Sequence, residues 1–103
     1  MTALEKYQRL ECSGLWRAGA EAQRRDVVAS LRDASLVIAD PRTEAPLSHW
    51  SLPAVERLNP GQTPALYSPD QGQGETLEIE DADMIAALET VHRAVERRRP
   101  HPG

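Results

Sequence analysis

Apolar and polar residues alternate with a period of two in several short runs before residue 80, a pattern typical of β-strands that bury one face. In Glu75–Glu80, for example, Leu77 and Ile79 share one face while the residues between them are polar. The pattern predicts six or seven strands, at Tyr7–Trp16, Arg25–Arg32, Ser35–Ala39, Leu47–Leu52, Val55–Leu58, Ala65–Ser68 and Glu75–Glu80.

Turn-forming residues separate these runs. Arg32–Ala34 is short enough for a hairpin turn, Asn59–Gly61 carries an Asn-Pro-Gly sequence, and Ser68–Gly74 is a polar loop. The first residues are ambiguous, because Leu4 to Leu10 fits a helical turn as well as the start of a strand. We expect residues 1–6 to be a flexible N-terminus.

The period changes to that of a helix after Glu80. Apolar residues then recur four, three and four positions apart, which places them on one stripe of a helix expected from about Ala82 to Arg98. The stripe consists of Met84, Leu88, Val91 and Val95. Together with Trp16, Trp50, Leu77 and Ile79, these residues are the expected core.

Charges are sorted along this helix. Asp81 and Asp83 lie at its start, where the positive end of the helix dipole favours anions, and basic residues lie at its end. Pro100 stops the helix, and residues 100–103 are expected to be a disordered tail, so the domain spans residues 7–99. The basic residues are Arg93 and the cluster Arg97, Arg98 and Arg99.

Composition excludes several classes of function. The net charge of −4 argues against a nucleic-acid partner, because phosphate binding needs clustered cations. Cys12 is the single cysteine, so an internal disulfide and a cysteine-based zinc site are excluded. No run of apolar residues approaches the roughly 20 that a membrane span requires. His49, His92 and His101 have no metal-ligand spacing, so we expect no metal and no cofactor.

A series of strands followed by one helix indicates an α+β fold. This order resembles the pleckstrin-homology (PH) superfold, and it predicts a PH-like antiparallel β-barrel of six to seven short strands closed by one C-terminal helix. The helix would lay its apolar stripe over an open end of the barrel.

Residues 15–58 carry a further resemblance, in the segments LWRAG, RRDVVASL, LVIAD and LSHWSLPAVERL. They are similar to a small PH-like domain at the N-terminus of alphaproteobacterial membrane-associated proteins, some of which are zinc metallopeptidases. Members often have proline where this chain has Ser51. The HExxH motif of the catalytic part is absent from this sequence. The matching positions are Trp16, Gly19, Arg25, Val27, Leu31, Leu36, Ile38, Trp50, Ser51 and Leu52.

The resemblance implies a non-enzymatic interaction or regulatory module, an accessory domain of a larger membrane-associated protein. We expect a protein partner rather than a small-molecule substrate, because peptides often add to the sheet beside the terminal helix in PH-like folds. We also expect a cytoplasmic location, at the cytoplasmic face of the inner membrane. Any membrane association would come from a region beyond this chain.

Two basic groups support alternative interpretations. Arg17, Arg24 and Arg25 lie in or beside the loop between the first two strands, where lipid-binding PH domains grip phosphorylated headgroups, so the alternative function is binding of anionic lipid. The cluster Arg97–Arg99 complements the helix dipole or marks a juxtamembrane stop before a membrane span.

An acidic run from Asp70 to Asp83 is the remaining candidate for chemistry. Its alternation is that of a strand rather than of an EF-hand loop, so we interpret it as a solvated face where a cationic partner can dock.

Overall fold

The structure, a computed structural model, describes residues 10–98 and the side chains of residues 10–94. The expected flexible N-terminus, the strand start at Tyr7 and the expected tail at residues 100–103 lie outside this range. The strands are β1 (Glu11–Arg17), β2 (Arg25–Arg32), β3 (Ser35–Ala39), β4 (Pro46–Ser51), β5 (Glu56–Arg57), β6 (Ala65–Ser68) and β7 (Thr76–Ile79), and the helix is α1 (Ala82–Arg98).

All seven strands belong to one antiparallel sheet, in the order β4-β3-β2-β1-β7-β6-β5. In the part of the chain that the structure describes, β4 and β5 do not pair with each other and form the two edges of the sheet. The sheet is therefore a curled half-barrel rather than the closed barrel that the sequence suggested. The predicted α+β class, the seven strands and the single C-terminal helix are present.

The strand β1 lies at the centre of the sheet and is shared by two neighbours. It pairs with β2 from Glu11 to Trp16 but with β7 only from Leu15 to Arg17. Gly14 lies where β7 leaves it, and a Cβ at Gly14 would be 2.9 Å from the Glu78 carbonyl oxygen. The close approach of these two backbones explains a glycine within a strand.

The concave face of the sheet and one face of α1 enclose the core. Trp16 and Trp50 retain 8% and 2% of their side-chain exposure, so both large rings are inside. The sheet supplies most of the remaining apolar surface. The buried apolar residues are Trp16, Val27, Ala29, Leu31, Leu36, Ile38, Trp50, Leu52, Val55, Ala65, Tyr67, Leu77, Ile79, Met84, Ala87 and Leu88.

The helix begins with an N-cap. The Asp81 carboxylate accepts the backbone N–H of Met84 over 2.8 Å, which satisfies one of the donors that a helix start leaves unpaired. Met84 and Leu88 are buried, and Val91 is half-buried and packs against the core. The fourth residue of the predicted stripe, Val95, lies on α1, but its side chain is outside the described range.

A short 3-10 turn, Leu52–Ala54, joins β4 to β5 and contacts α1. The sequence predicted Leu52 as the last residue of a strand that Pro53 would end. Instead the Leu52 N–H donates to the Ala34 carbonyl oxygen over 2.9 Å, and the chain then turns through the proline. Leu52 remains buried, so the turn carries part of the core toward the helix.

The described helix is not both long and apolar enough to cross a membrane.

Candidate interaction site

A groove lies between the edge strand β5, the 3-10 turn and α1. Its cavity has a volume of about 440 Å³. Apolar residues from three different elements form part of its wall, and polar residues of β5 and α1 complete the lining. The lining consists of Leu52, Val55, Glu56, Arg57, Pro60, Tyr67, Leu88, Glu89 and His92.

An ion pair crosses this groove. The Arg57 guanidinium donates from Nη1 to Glu89 Oε1 over 3.1 Å and from Nη2 to the Gln62 carbonyl oxygen over 2.8 Å. The two charged side chains keep only 17% and 31% of their exposure. Arg57 Nε is buried and has no hydrogen-bond partner. The pair therefore links β5 to α1 while one guanidinium N–H stays unsatisfied.

Tyr67 extends the same cluster from β6. Its hydroxyl donates to Glu89 Oε1 over 3.3 Å. Burial, with the nearby Glu89 charge, raises the pKa of Tyr67 to about 12. The phenol is neutral at physiological pH and acts here as a hydrogen-bond donor at the margin of an apolar surface.

The outer edge of β5 offers backbone groups to a ligand. Arg57 is directly opposite Tyr67, and the next residue, Leu58, donates its N–H to the Leu66 carbonyl oxygen over 2.7 Å. Because successive residues of a strand direct their backbone groups to alternate sides, the N–H and C=O of Arg57 point away from β6. No described strand pairs with that side of β5.

The three arginines predicted around the first loop do not form one cluster. Arg17 and Arg24 line a second cavity of about 440 Å³ on the outer face of β1 and β7. Arg25 points elsewhere, and its Nη2 lies 2.8 Å from Asp40 Oδ2. Arg24 precedes β2 and Arg25 is its first residue, and the two side chains reach different partners, Glu78 and Asp40.

The second cavity mixes basic and acidic groups. Arg24 Nη1 is 2.8 Å from Glu78 Oε2, and this hydrogen bond raises the pKa of the guanidinium further. Arg17 Nε is buried without a hydrogen-bond partner. An anion in this cavity would meet two arginines but would compete with the Glu78 carboxylate for Arg24.

A half-buried carboxylate lies where β1 ends and β7 begins. Glu75 Oε1 accepts the Trp16 indole N–H over 3.1 Å and accepts the Ser48 hydroxyl of β4. At the same end, the N–H groups of Thr43 and Arg42 lower the pKa of Asp40. Glu75 and Asp40 thus hold the segments around them through hydrogen bonds, and carboxylates rather than free cations occupy this end of the sheet.

The acidic run extends from the loop before β7, through that strand, to the first turn of α1. A third cavity of about 570 Å³ on the outer face is lined in part by Leu15, Asp26, Glu80 and Asp81. Cys12 also lines it, and burial, followed by the Asp81 charge, raises the pKa of this thiol to about 11. Among the side chains of residues 10–94, no group of His, Cys, Asp and Glu has an arrangement that would hold a metal ion.

The remaining sequence candidates have these positions. His49 is exposed on β4, and His92 is exposed on α1 at the groove. Arg97 and Arg98 belong to the last turn of α1, with side chains outside the described range, and Arg99 and His101 lie beyond it.

Sequence reasoning placed a peptide beside the terminal helix but did not identify the groove residues. Arg57 and Glu89 are 32 positions apart, and no motif links them. The signals available were the segment Val55–Leu58, which was interpreted only as a further short strand, and Leu88 on the helix stripe, which was interpreted as core.

Solved structures with the same fold include a PH domain, with a TM-score of 0.60 and 11% identity over 92% of this chain and 95% of that chain. Two structures of Vav1 are also similar. The activated truncation gives a TM-score of 0.57 and 17% identity over 91% of this chain and 28% of that one. The form inhibited by an allosteric inhibitor gives a TM-score of 0.58 and 19% identity, over 97% of this chain and 30% of that chain.

At these identities the likeness establishes the fold alone, and the chain corresponds to less than a third of either Vav1 chain. No curated protein matches the sequence. The profile of the family described as a domain of unknown function, DUF7092, matches residues 11–92. A curled antiparallel sheet covered by one C-terminal helix is thus the PH-like form of this sequence, and the chain belongs to the DUF7092 family.

Proposed function

We propose that this chain is a non-enzymatic interaction module that binds an extended protein segment in the groove between β5 and α1. The observation that carries the proposal is the groove itself. A partly apolar cavity adjoins a strand edge whose backbone groups are unpaired among the described residues. Strand addition uses this combination, since the edge supplies hydrogen bonds and the cavity takes side chains.

The short edge strand limits how such a segment binds. β5 has two residues, and only Arg57 directs both backbone groups outward, so strand pairing alone gives few hydrogen bonds. The rest of the affinity must come from partner side chains that contact the groove lining and the exposed residues beside it. The cavity of about 440 Å³ has room for side chains of a partner segment.

A blocking substitution tests the groove. Random nonapeptides displayed on phage are selected on the full chain, and their binding is remeasured on His92→Trp, which places a large ring over the groove from an exposed helix position. The matched control is Arg93→Trp, on the same helix but outside the groove lining. We expect a loss of about tenfold or more for His92→Trp, equivalent to roughly 1.4 kcal/mol, and little change for the control. Equal binding by both variants contradicts the proposal.

Binding of anionic lipid is the second candidate, supported by the buried, unsatisfied Arg17 Nε beside Arg24. It ranks below the groove because Glu78 already holds Arg24 and the net charge is −4. Sedimentation with phosphatidylcholine vesicles, with and without phosphatidylserine, tests it. Salt-sensitive binding that Arg17→Ala plus Arg24→Ala abolishes, and Arg25→Ala does not, would favour the lipid.

The proposed setting is an accessory domain of a larger membrane-associated protein, on the cytoplasmic side of the inner membrane. The support is the sequence resemblance to domains of such bacterial proteins, including zinc metallopeptidases, and the cluster Arg97–Arg99, which the positive-inside rule would place in the cytoplasm. The reading frame beyond Gly103 tests this setting. A stretch of about 20 apolar residues close to the cluster supports it, and a polar continuation contradicts it.

A further inference from the structure

We propose that the groove selects an antiparallel segment with the pattern apolar–aliphatic–basic, in which the aliphatic residue lies opposite Arg57. The inference rests on the proposed function and names the chemistry of the partner. It follows from the register of β5, the lining of the groove and the charge of Glu56.

The register determines which ligand side chain enters the groove. A ligand residue that exchanges hydrogen bonds with the outward N–H and C=O of Arg57 lies directly opposite it, and directly opposite residues place their side chains on the same face. The Arg57 side chain is on the inner face, since it reaches Glu89 of α1. The ligand side chain opposite Arg57 therefore enters the groove, and its two neighbours point to the outer face.

The groove favours an uncharged side chain at the central position. Arg57 and Glu89 neutralise each other in their ion pair, so the inner wall has no uncompensated charge from these two residues. Leu52, Val55 and Leu88 provide buried apolar surface. These three residues line the groove with only 4–7% of their surface exposed, and an aliphatic ligand residue would cover that remainder, whereas a charged residue would lose its hydration without gaining a dedicated partner.

The outer face distinguishes the two flanking positions. Glu56 borders the groove, but strand alternation directs its side chain to the face opposite that of Arg57. In an antiparallel arrangement the preceding ligand residue lies opposite Leu58 and the following one opposite Glu56. Leu58 keeps 37% of its exposure, one of two large apolar side chains described as exposed, so an apolar ligand residue would cover it. Glu56 has no ion pair with any described residue, and a lysine or arginine opposite it would supply one.

A charge swap tests the pattern and the register together. The probes are two synthetic nonapeptides, each a Leu-Val-Arg or Leu-Val-Glu centre flanked by three threonines on either side. The proteins are the full chain, Glu56→Arg and the matched control Glu80→Arg, which makes the same charge change at an exposed position outside the groove lining. Affinities come from calorimetry, and NMR follows the Arg57 amide and the methyl groups of Leu52, Val55 and Leu88.

We expect the unsubstituted chain and Glu80→Arg to prefer the arginine peptide by about fivefold, and Glu56→Arg to reverse the preference. Groove signals that shift equally with both peptides would overturn the inference and leave the proposed function standing. A preference that survives Glu56→Arg would overturn the register. Failure of both peptides to shift any groove signal would contradict the inference and the proposed function together.

Discussion

Replacing Gly14 by alanine tests how β1 is shared between its two neighbours. An added Cβ would lie 2.9 Å from the Glu78 carbonyl oxygen and 3.1 Å from Leu77 Cδ1. The leucine side chain can rotate, but the carbonyl belongs to the backbone of β7. The two strands must therefore move apart beside the residues through which β1 pairs with both β2 and β7.

Two opposing effects determine the size of the change. Overpacking of this kind costs about 1–3 kcal/mol. Replacing glycine by alanine also restricts the unfolded chain, which stabilises the fold by about 0.4–1 kcal/mol. We expect a net loss of about 1–2 kcal/mol in the free energy of unfolding. In a domain of about this size, that loss lowers Tm by roughly 4–16 °C.

Thermal and urea unfolding, followed by far-ultraviolet circular dichroism, measure this loss. Gly19→Ala is the matched control, because no atom lies within 4 Å of a Cβ built at Gly19. With no clash to oppose the restricted unfolded chain, this control should be unchanged in stability or gain up to about 1 kcal/mol. If Gly14→Ala has a Tm equal to or above that of the unsubstituted chain, the close approach of β1 and β7 is not a constraint and the reasoning is wrong.

Three further predictions concern individual polar side chains. Cys12, whose pKa rises from 9.0 to about 11, should react with a disulfide reagent at pH 8 more slowly than free cysteine. The thiol ionises at a lower pH in the unfolded chain than in the fold. Its contribution to the free energy of unfolding is therefore lost as pH rises from about 9 through about 11. Cys12→Ala should flatten the plot of unfolding free energy against pH over that range. Glu75→Ala removes the hydrogen-bond acceptor shared by Trp16 and Ser48, and it should lower the free energy of unfolding by about 1–3 kcal/mol. The near-ultraviolet circular dichroism of the indole should change, and an unchanged spectrum would contradict this role of Glu75. Asp81→Ala removes the N-cap and should lower the free energy of unfolding by about 0.5–2 kcal/mol, whereas Asp81→Asn should retain most of it; equal losses would contradict the capping role.

Local features of the sequence predicted the elements closely. The helix has the expected bounds, Ala82–Arg98, because its apolar stripe, its acidic start and Pro100 all act within a few residues of one another. The strands at Arg25–Arg32, Ser35–Ala39 and Ala65–Ser68 also have the predicted bounds. The 3-10 turn at Leu52–Ala54 was not predicted, because it depends on a hydrogen bond to Ala34, which is distant in sequence.

The candidate site was predicted in outline only. Its place beside the terminal helix came from the resemblance to PH-like folds, whereas the ion pair between Arg57 and Glu89 requires two elements to meet across the groove. The basic loop shows the reverse case. Arg24 and Arg25 are adjacent in sequence, yet one reaches Glu78 and the other Asp40.

The amino-acid sequence by itself determined the strands, the helix, the apolar residues available for a core and the absence of a catalytic metal motif. These depend on periodicity and on turn residues, which act over a few positions along the chain. Tertiary structure decided that the sheet stays open between β4 and β5, and that Arg57, Tyr67 and Glu89 meet beside that opening. Such contacts arise when the sheet curls and the helix packs against it, so no local pattern specifies them.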